Sequence, residues 1–224
     1  MSNQPGNHEP FAVKDSSLLA IATGTTAENL KEMRYCLITV HPGSIYHHFW
    51  GALMRPRFVE PEYNNDFARW VNRALGDKTL AERLAVIDPT DFDLESLRQH
   101  LIETIEQRLD EIHWLGWAAP EKAFHFIRSQ VIVFDTRRRI VKPEDFAEVI
   151  PQMSLGSIFY HFIDARRRND SGEDDFRAWV PGFGDSHTGV LSELALIDPY
   201  FNTLAELREK LAEVFQNHYG RPST

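Results

Sequence analysis

A mostly α-helical chain is what this sequence predicts: α+β with a minor short strand or hairpin per unit, built as two homologous helical units packed as an intramolecular pseudo-dimer. Three observations predict it. The heptad GSIYHHF at residues 43–49 returns as GSIFYHF at 156–162, with Gly, Ser, Ile, His and Phe unchanged. Four further stretches match in the same order: FAVKDSSLLAIATG over FHFIRSQVIVFDTR, NNDFARW over DDFRAW, LAVIDP over LALIDP, and DLESLRQHLIETI over TLAELREKLAEVF. Finally, most segments between them carry helical spacing and capping residues. Ordered self-similarity is the signature of a repeat, and two copies of a unit commonly pack about an approximate twofold axis.

In chain order, residues 1–10 read as a disordered lead-in, 11–108 as the first helical unit, 109–123 as a packed connector, 124–215 as the second unit and 216–224 as a flexible tail. SLLAIATG reads as strand or helix, since periodicity does not decide so short a run. AENLKEMRYCLITV has helical spacing. The GSI heptads begin the next helix, with Ser44 and Ser157 as expected N-caps. NNDFARWVNRAL and DDFRAWV read as capped helices, and DKTLAERLAVI as another. In the second unit QVIVFDT with RRRIV reads as a strand or hairpin, and PEDFAEVIPQM as helical. A final helix follows IDP in both units, opened in the second by the capping box TLAE at 203–206.

Composition narrows the function classes. The 224 residues carry 42% hydrophobic and 25% charged side chains, the balance of an ordinary globular protein. No apolar run approaches the roughly 20 residues of a membrane span, and MSNQPGNHEP lacks a signal-peptide pattern. A net charge of −9 opposes nucleic-acid binding, which needs a basic footprint. Cys36 is the only cysteine, and no histidine has a partner at HxxxH or HExxH spacing. The expectations are a cytoplasmic protein with no membrane, nucleic acid, metal or cofactor.

The candidate chemistry sits on the heptads. Ile45, His48, Phe49 and Ala52 share one helix face, as do Ile158, His161, Phe162 and Ala165. A core histidine with partnered ring nitrogens is the leading reading of His48 and His161; a ligand-contacting or acid–base histidine between the units is the sharper one. Arg55 and Arg168 each follow seven residues behind. If the two heptad helices pack antiparallel, each arginine meets the other helix's N-terminus, an anion pocket to which Ser44, Ser157, Tyr46, His47 and Tyr160 are neighbours. Pairing of each arginine with a nearby carboxylate is the simpler alternative. Asp66 and Asp175, at helix starts, read as caps, and Asp88-Pro89 and Asp198-Pro199 as turns.

Together the heptads, the DFxxW elements and the repeated IDP resemble a bacterial family known only as domain of unknown function 5752, over about residues 11–215. NNDFARWVNRALGDKTLAERL also looks like a small helical module attached to various prokaryotic proteins. Neither resemblance implies a mechanism. The leading functional expectation is a non-catalytic protein-interaction or regulatory module with an unidentified protein partner. The alternative is a sensor or enzyme binding a small anionic ligand at the junction of the units, with an enzyme the weaker reading. Histidines sealed in separate cores favour the first reading, and a shared pocket the second.

Overall fold

Two long strands organise the chain. The computed structural model describes residues 9–54, 62–112, 120–200 and 202–220. Strand β1 runs Phe11–Ala27 and β2 runs Phe124–Ile140, 17 residues each, and they pair in a two-stranded antiparallel sheet. This corrects the expected fold class: the protein is α+β, with one sheet of long strands in place of a minor short strand or hairpin in each of two helical units, and its compact units are not the two consecutive copies of the expected pseudo-dimer. SLLAIATG is strand throughout, and RRRI continues β2 where a hairpin return was an option. The partners lie more than a hundred residues apart, so no local turn signal announces their pairing.

The helices follow in order: α1 Leu30–Thr39, α2 Pro42–Trp50, α3 Asp66–Trp70 (continued by a π turn, Val71–Leu75), α4 Lys78–Ala85 and α5 Leu94–Glu111. After β2 come α6 Phe146–Val149 between two 3-10 turns, α7 Leu155–Ile158, a π segment Phe159–Asp164, α8 Ala165–Arg168, α9 Asp175–Trp179, α10 Thr188–Ala195 and α11 Leu204–Tyr219. Side-chain oxygens of Asn29, Asn65, Asp77, Asp93, Asp174 and Thr203 cap their helices by accepting from N2 or N3 backbone N–H groups, satisfying donors the helix leaves unpaired. Thr203 and Glu206 form a reciprocal capping box. Asp88 and Asp198 each accept the backbone N–H two residues on, at 2.9 and 2.7 Å, which makes them turn formers.

The chain forms two compact units that are not consecutive in sequence. A central unit spans Leu18–Val131; a bipartite unit combines Met1–Ser17 with Ile132–Thr224. β1 therefore changes units after Ser17, and β2 after Val131. In the central unit α1, α2 and α4 pack on α5, burying Leu30, Leu37, Ile45, Phe49, Leu84, Leu101 and Ile105. Arg98 is itself buried and donates to the carbonyl of Val40 at 2.8 Å, closing the end of α1. In the bipartite unit α6, α7 and α10 pack on α11, around Phe146, Phe159, Phe162, Phe176, Leu207, Leu211 and Phe215. Among the described residues no helix is long and apolar enough to cross a membrane.

The same strand contacts recur in both units. Thr23 Oγ donates to the Phe126 carbonyl at 2.6 Å in the central unit, and Thr136 Oγ to the Val13 carbonyl at 2.5 Å in the bipartite one. One residue beyond each threonine the backbone turns left-handed, at Gly24 (φ 77°) and Arg137 (φ 62°).

Candidate functional site

The heptads lie where helix meets strand. The expectation that Ser44 and Ser157 are N-caps is corrected: His41 caps α2 through Nδ1, accepting from Gly43 N–H at 3.0 Å, and Ser154 caps α7, accepting from Ser157 N–H at 2.9 Å. Pro42 fills the first helical position of α2, where its missing N–H costs nothing, so the helix starts earlier than the serine suggests. Ser44 is fully buried, with no hydrogen-bond partner for its hydroxyl among the described residues. The Ser157 hydroxyl lies 3.0 Å from Ser154 Oγ, whose own proton goes to Asp15 Oδ1 at 2.6 Å.

The repeated glycines, isoleucines, histidines and phenylalanines of the heptads each have a contact behind them. A Cβ on Gly43 would stand 2.7 Å from the Ser129 carbonyl oxygen on β2, and one on Gly156 would collide with the Ser16 carbonyl oxygen on β1. Only glycine lets the strand come so near. The isoleucines and phenylalanines fill the cores.

His48 and His161 are 4% and 2% exposed, and each bridges a carboxylate to a strand. His161 Nδ1 lies 2.7 Å from Asp175 Oδ2, and its Nε2 accepts the Lys14 backbone N–H at 2.9 Å. His48 Nδ1 lies 2.9 Å from Asp66 Oδ2, and its Nε2 accepts the Ile127 backbone N–H at 3.2 Å. A backbone N–H only donates, so Nε2 holds the lone pair and the proton of the neutral ring sits on Nδ1, donated to the aspartate. Both rings also pack on the strand's first phenylalanine, His161 on Phe11 at 4.8 Å and His48 on Phe124 at 4.6 Å.

Asp66 and Asp175 are the residues that sequence reasoning misplaced. The caps are their predecessors Asn65 and Asp174; Asp66 and Asp175 occupy the first helical turn and hold the histidines. The second acidic or amide residue in NND and EDD is the only sequence signal that a cap was already present. Burial alone would raise both carboxyls. The hydrogen bond from the histidine, with the charge of Arg69 beside Asp66 and of Arg168 beside Asp175, holds each below the ordinary carboxylate range.

In the bipartite unit this arrangement floors an open groove of about 370 Å³, lined by Glu9, Phe11, Lys14, Tyr160, His161, Arg168, Asp175 and Trp179 among others. Three expected site residues, Tyr160, His161 and Arg168, thus come together within one unit. Arg168 Nε donates to Asp164 at 2.9 Å, and its Nη2 to the Tyr160 carbonyl and Asp175 at 2.9 and 3.0 Å. The guanidinium stacks 3.9 Å over the Tyr160 ring. Arg168 therefore pairs with neighbouring carboxylates. The Lys14 ammonium lies 5.8 Å from the same ring; it makes no contact ion pair with the described residues, and its charge helps hold the Asp135 carboxyl down. Trp179 Nε1 donates to the Glu9 carbonyl at 2.9 Å.

The matched place in the central unit differs. Ile127 stands where the other unit has Lys14, and His47 where it has Tyr160. Arg55 lies outside the described residues. Tyr46 is buried and stacks on Trp50 at 5.0 Å. His47 Nδ1 lies 2.6 Å from Ser129 Oγ. His47, His48 and Asp66 bring potential ligand atoms within 4.8 Å of one another, a grouping that adjacent histidines do not announce by spacing. A metal on His48 Nδ1 requires that proton to move to Nε2, where it would face the Ile127 N–H. Coordination thus costs a strand hydrogen bond, and the donor set fits a metal poorly.

The family model described as "Family of unknown function (DUF5752)" matches residues 8–216. No curated protein matches the chain. Among solved structures it is similar to "The structure of OrfY from Thermoproteus tenax", at 26% identity and a TM-score of 0.79, covering 94% of this chain and 95% of that one.

Proposed function

The chain belongs to the DUF5752 family, a family of unknown function, and from its two histidine sites we propose that it is a non-catalytic protein-interaction or regulatory module. The observation that carries this reading is the commitment of both rings. Each histidine lies in a separate core, and both its nitrogens serve to hold a strand, one through an aspartate and one through a backbone N–H. A general acid or base needs a ring nitrogen within reach of substrate, and these have none to spare. The repeated glycines and histidines of the heptads serve strand docking. Affinity capture of the full chain from its own cells, followed by sedimentation of the purified complex, tests the reading. A stoichiometric protein partner is expected; a chain that stays alone at cellular concentration overturns it.

The groove favours a second reading, a site for a small organic anion. Lys14 offers, beside the rings of Tyr160 and Trp179, an ammonium in no contact ion pair with the described residues, though its charge also acts on Asp135. Calorimetric titration with small carboxylates and phosphates tests it: binding lost in Lys14→Ala supports it, and no binding to the parent chain dismisses it.

A further inference from the structure

We propose that the outer edge of β2 at Ile132–Arg138 is a docking edge for an extended acidic peptide, which adds to the sheet as a third strand. The inference rests on the interaction reading above and assigns it a surface and a chemistry.

Three observations point there. β2 has one neighbour in a two-stranded sheet, so among the described residues no strand pairs its other edge. The Ile127 N–H there is held by His48, and the Arg137 and Arg138 N–H groups by Asp135 Oδ1 and Thr136 Oγ at 2.7 and 3.3 Å, which leaves the stretch Ile132–Thr136 for an added strand. Such an edge templates an incoming strand. Along it, Ile132, Val133 and Phe134 are 41%, 43% and 52% exposed. Successive side chains of a strand point to opposite faces, so Ile132 and Phe134 share one face and Val133 lies on the other, and neighbouring side chains of an added strand can pack on both. Beyond them stand three exposed arginines. Arg139 is already neutralised by Asp135, through Nη1 at 2.8 Å and Nη2 at 2.6 Å. Arg138 reaches only the neutral Gln152, at 3.3 Å, and Arg137 has no carboxylate among the described residues. Two guanidiniums are thus left for an incoming carboxylate.

Charge selects the occupant. The chain carries a net −9, so acidic partners are repelled at long range. Screening limits that field to about 8 Å at physiological salt, within which the two arginines decide. The left-handed residue at Arg137 interrupts regular pairing. The ladder therefore forms over the apolar residues, and the partner's acids meet Arg137 and Arg138 beyond its end.

Fluorescence anisotropy of the full chain with labelled ten-residue peptides tests this. Expected is binding of an alternating Val/Glu peptide at least ten-fold tighter than of a Val/Lys peptide. Binding should weaken ten-fold or more in Arg137→Glu with Arg138→Glu, and be lost when alternate peptide nitrogens are methylated, which removes the donors of one edge. Both arginines are exposed, and melting curves confirm that the variant folds. Equal binding of both peptides, or indifference to the arginine changes or to methylation, overturns the proposal. So does a preference for anionic vesicles over the peptide, or a concentration-dependent dimer that occupies the edge. If no peptide binds but a stoichiometric partner is captured from cells, this edge is wrong and the interaction reading stands; if neither is found, both fall.

Discussion

His161 shows how much one side chain holds. Its ring ties α9 to β1 through Asp175 and the Lys14 N–H, and His48 does the same for α3 and β2. Truncation leaves an aspartate and a strand N–H short of partners, and lost buried hydrogen bonds cost about 1–3 kcal/mol, with a cavity term in addition. His48→Ala and His161→Ala should both melt well below the parent, by comparable amounts; parental melting temperatures would remove the bridging role. Acid should act on the same pair of contacts. Asp66 and Asp175 are held below the ordinary carboxylate range, so their contribution is present above the unfolded value of about 3.9 and is lost as pH falls through the lower folded values. Asp174 is raised, chiefly by burial, and works in the opposite sense. Melting temperature measured from about pH 6 downward should fall at the acid end, and the fall should be shallower in Asp175→Asn. The heptad stripe was legible in the sequence, because apolar spacing on a helix is a local pattern. The aspartates were not. A capping explanation was sufficient locally, and the histidine contacts span 18 and 14 residues.

Among the elements, the helices were the readable part. Spacing and caps mark α1, α4, α5 and α11 within their own residues. The strands were underread because a two-stranded sheet with much exposed surface shows little alternation: β2 is exposed from Ile132 to Arg139, and its tail RRRI resembles a loop as much as a strand. Each strand also carries a left-handed residue, Gly24 in one and Arg137 in the other. An added Cβ at Gly24 meets nothing within 4 Å, so Gly24→Ala isolates the backbone effect. It should cost about 1 kcal/mol. Arg137→Gly should raise stability by less than that, since the strain relieved is partly offset by the freer unfolded chain. Denaturant midpoints at unchanged slope check both.

For the molecule as a whole, the decisive residue is Phe11. It stacks on Phe176 at 5.5 Å and meets Phe146 edge-on at 5.1 Å, so the bipartite unit draws part of its core from the start of the chain. Phe11→Ala should cost about 3–5 kcal/mol. Hydrogen exchange should show protection lost in α6–α11 and retained in α1–α5; uniform loss would mean that the two units do not open separately. That division has a consequence for biogenesis. On the ribosome the central unit, Leu18–Val131, has all its residues as soon as β2 is half made. β1 is made before the central unit and must wait for α11, made after it, before its core exists. Through that interval its phenylalanine and its open edge have no home, so a strand made before the central unit finishes folding after it, and a chaperone has most reason to hold that strand.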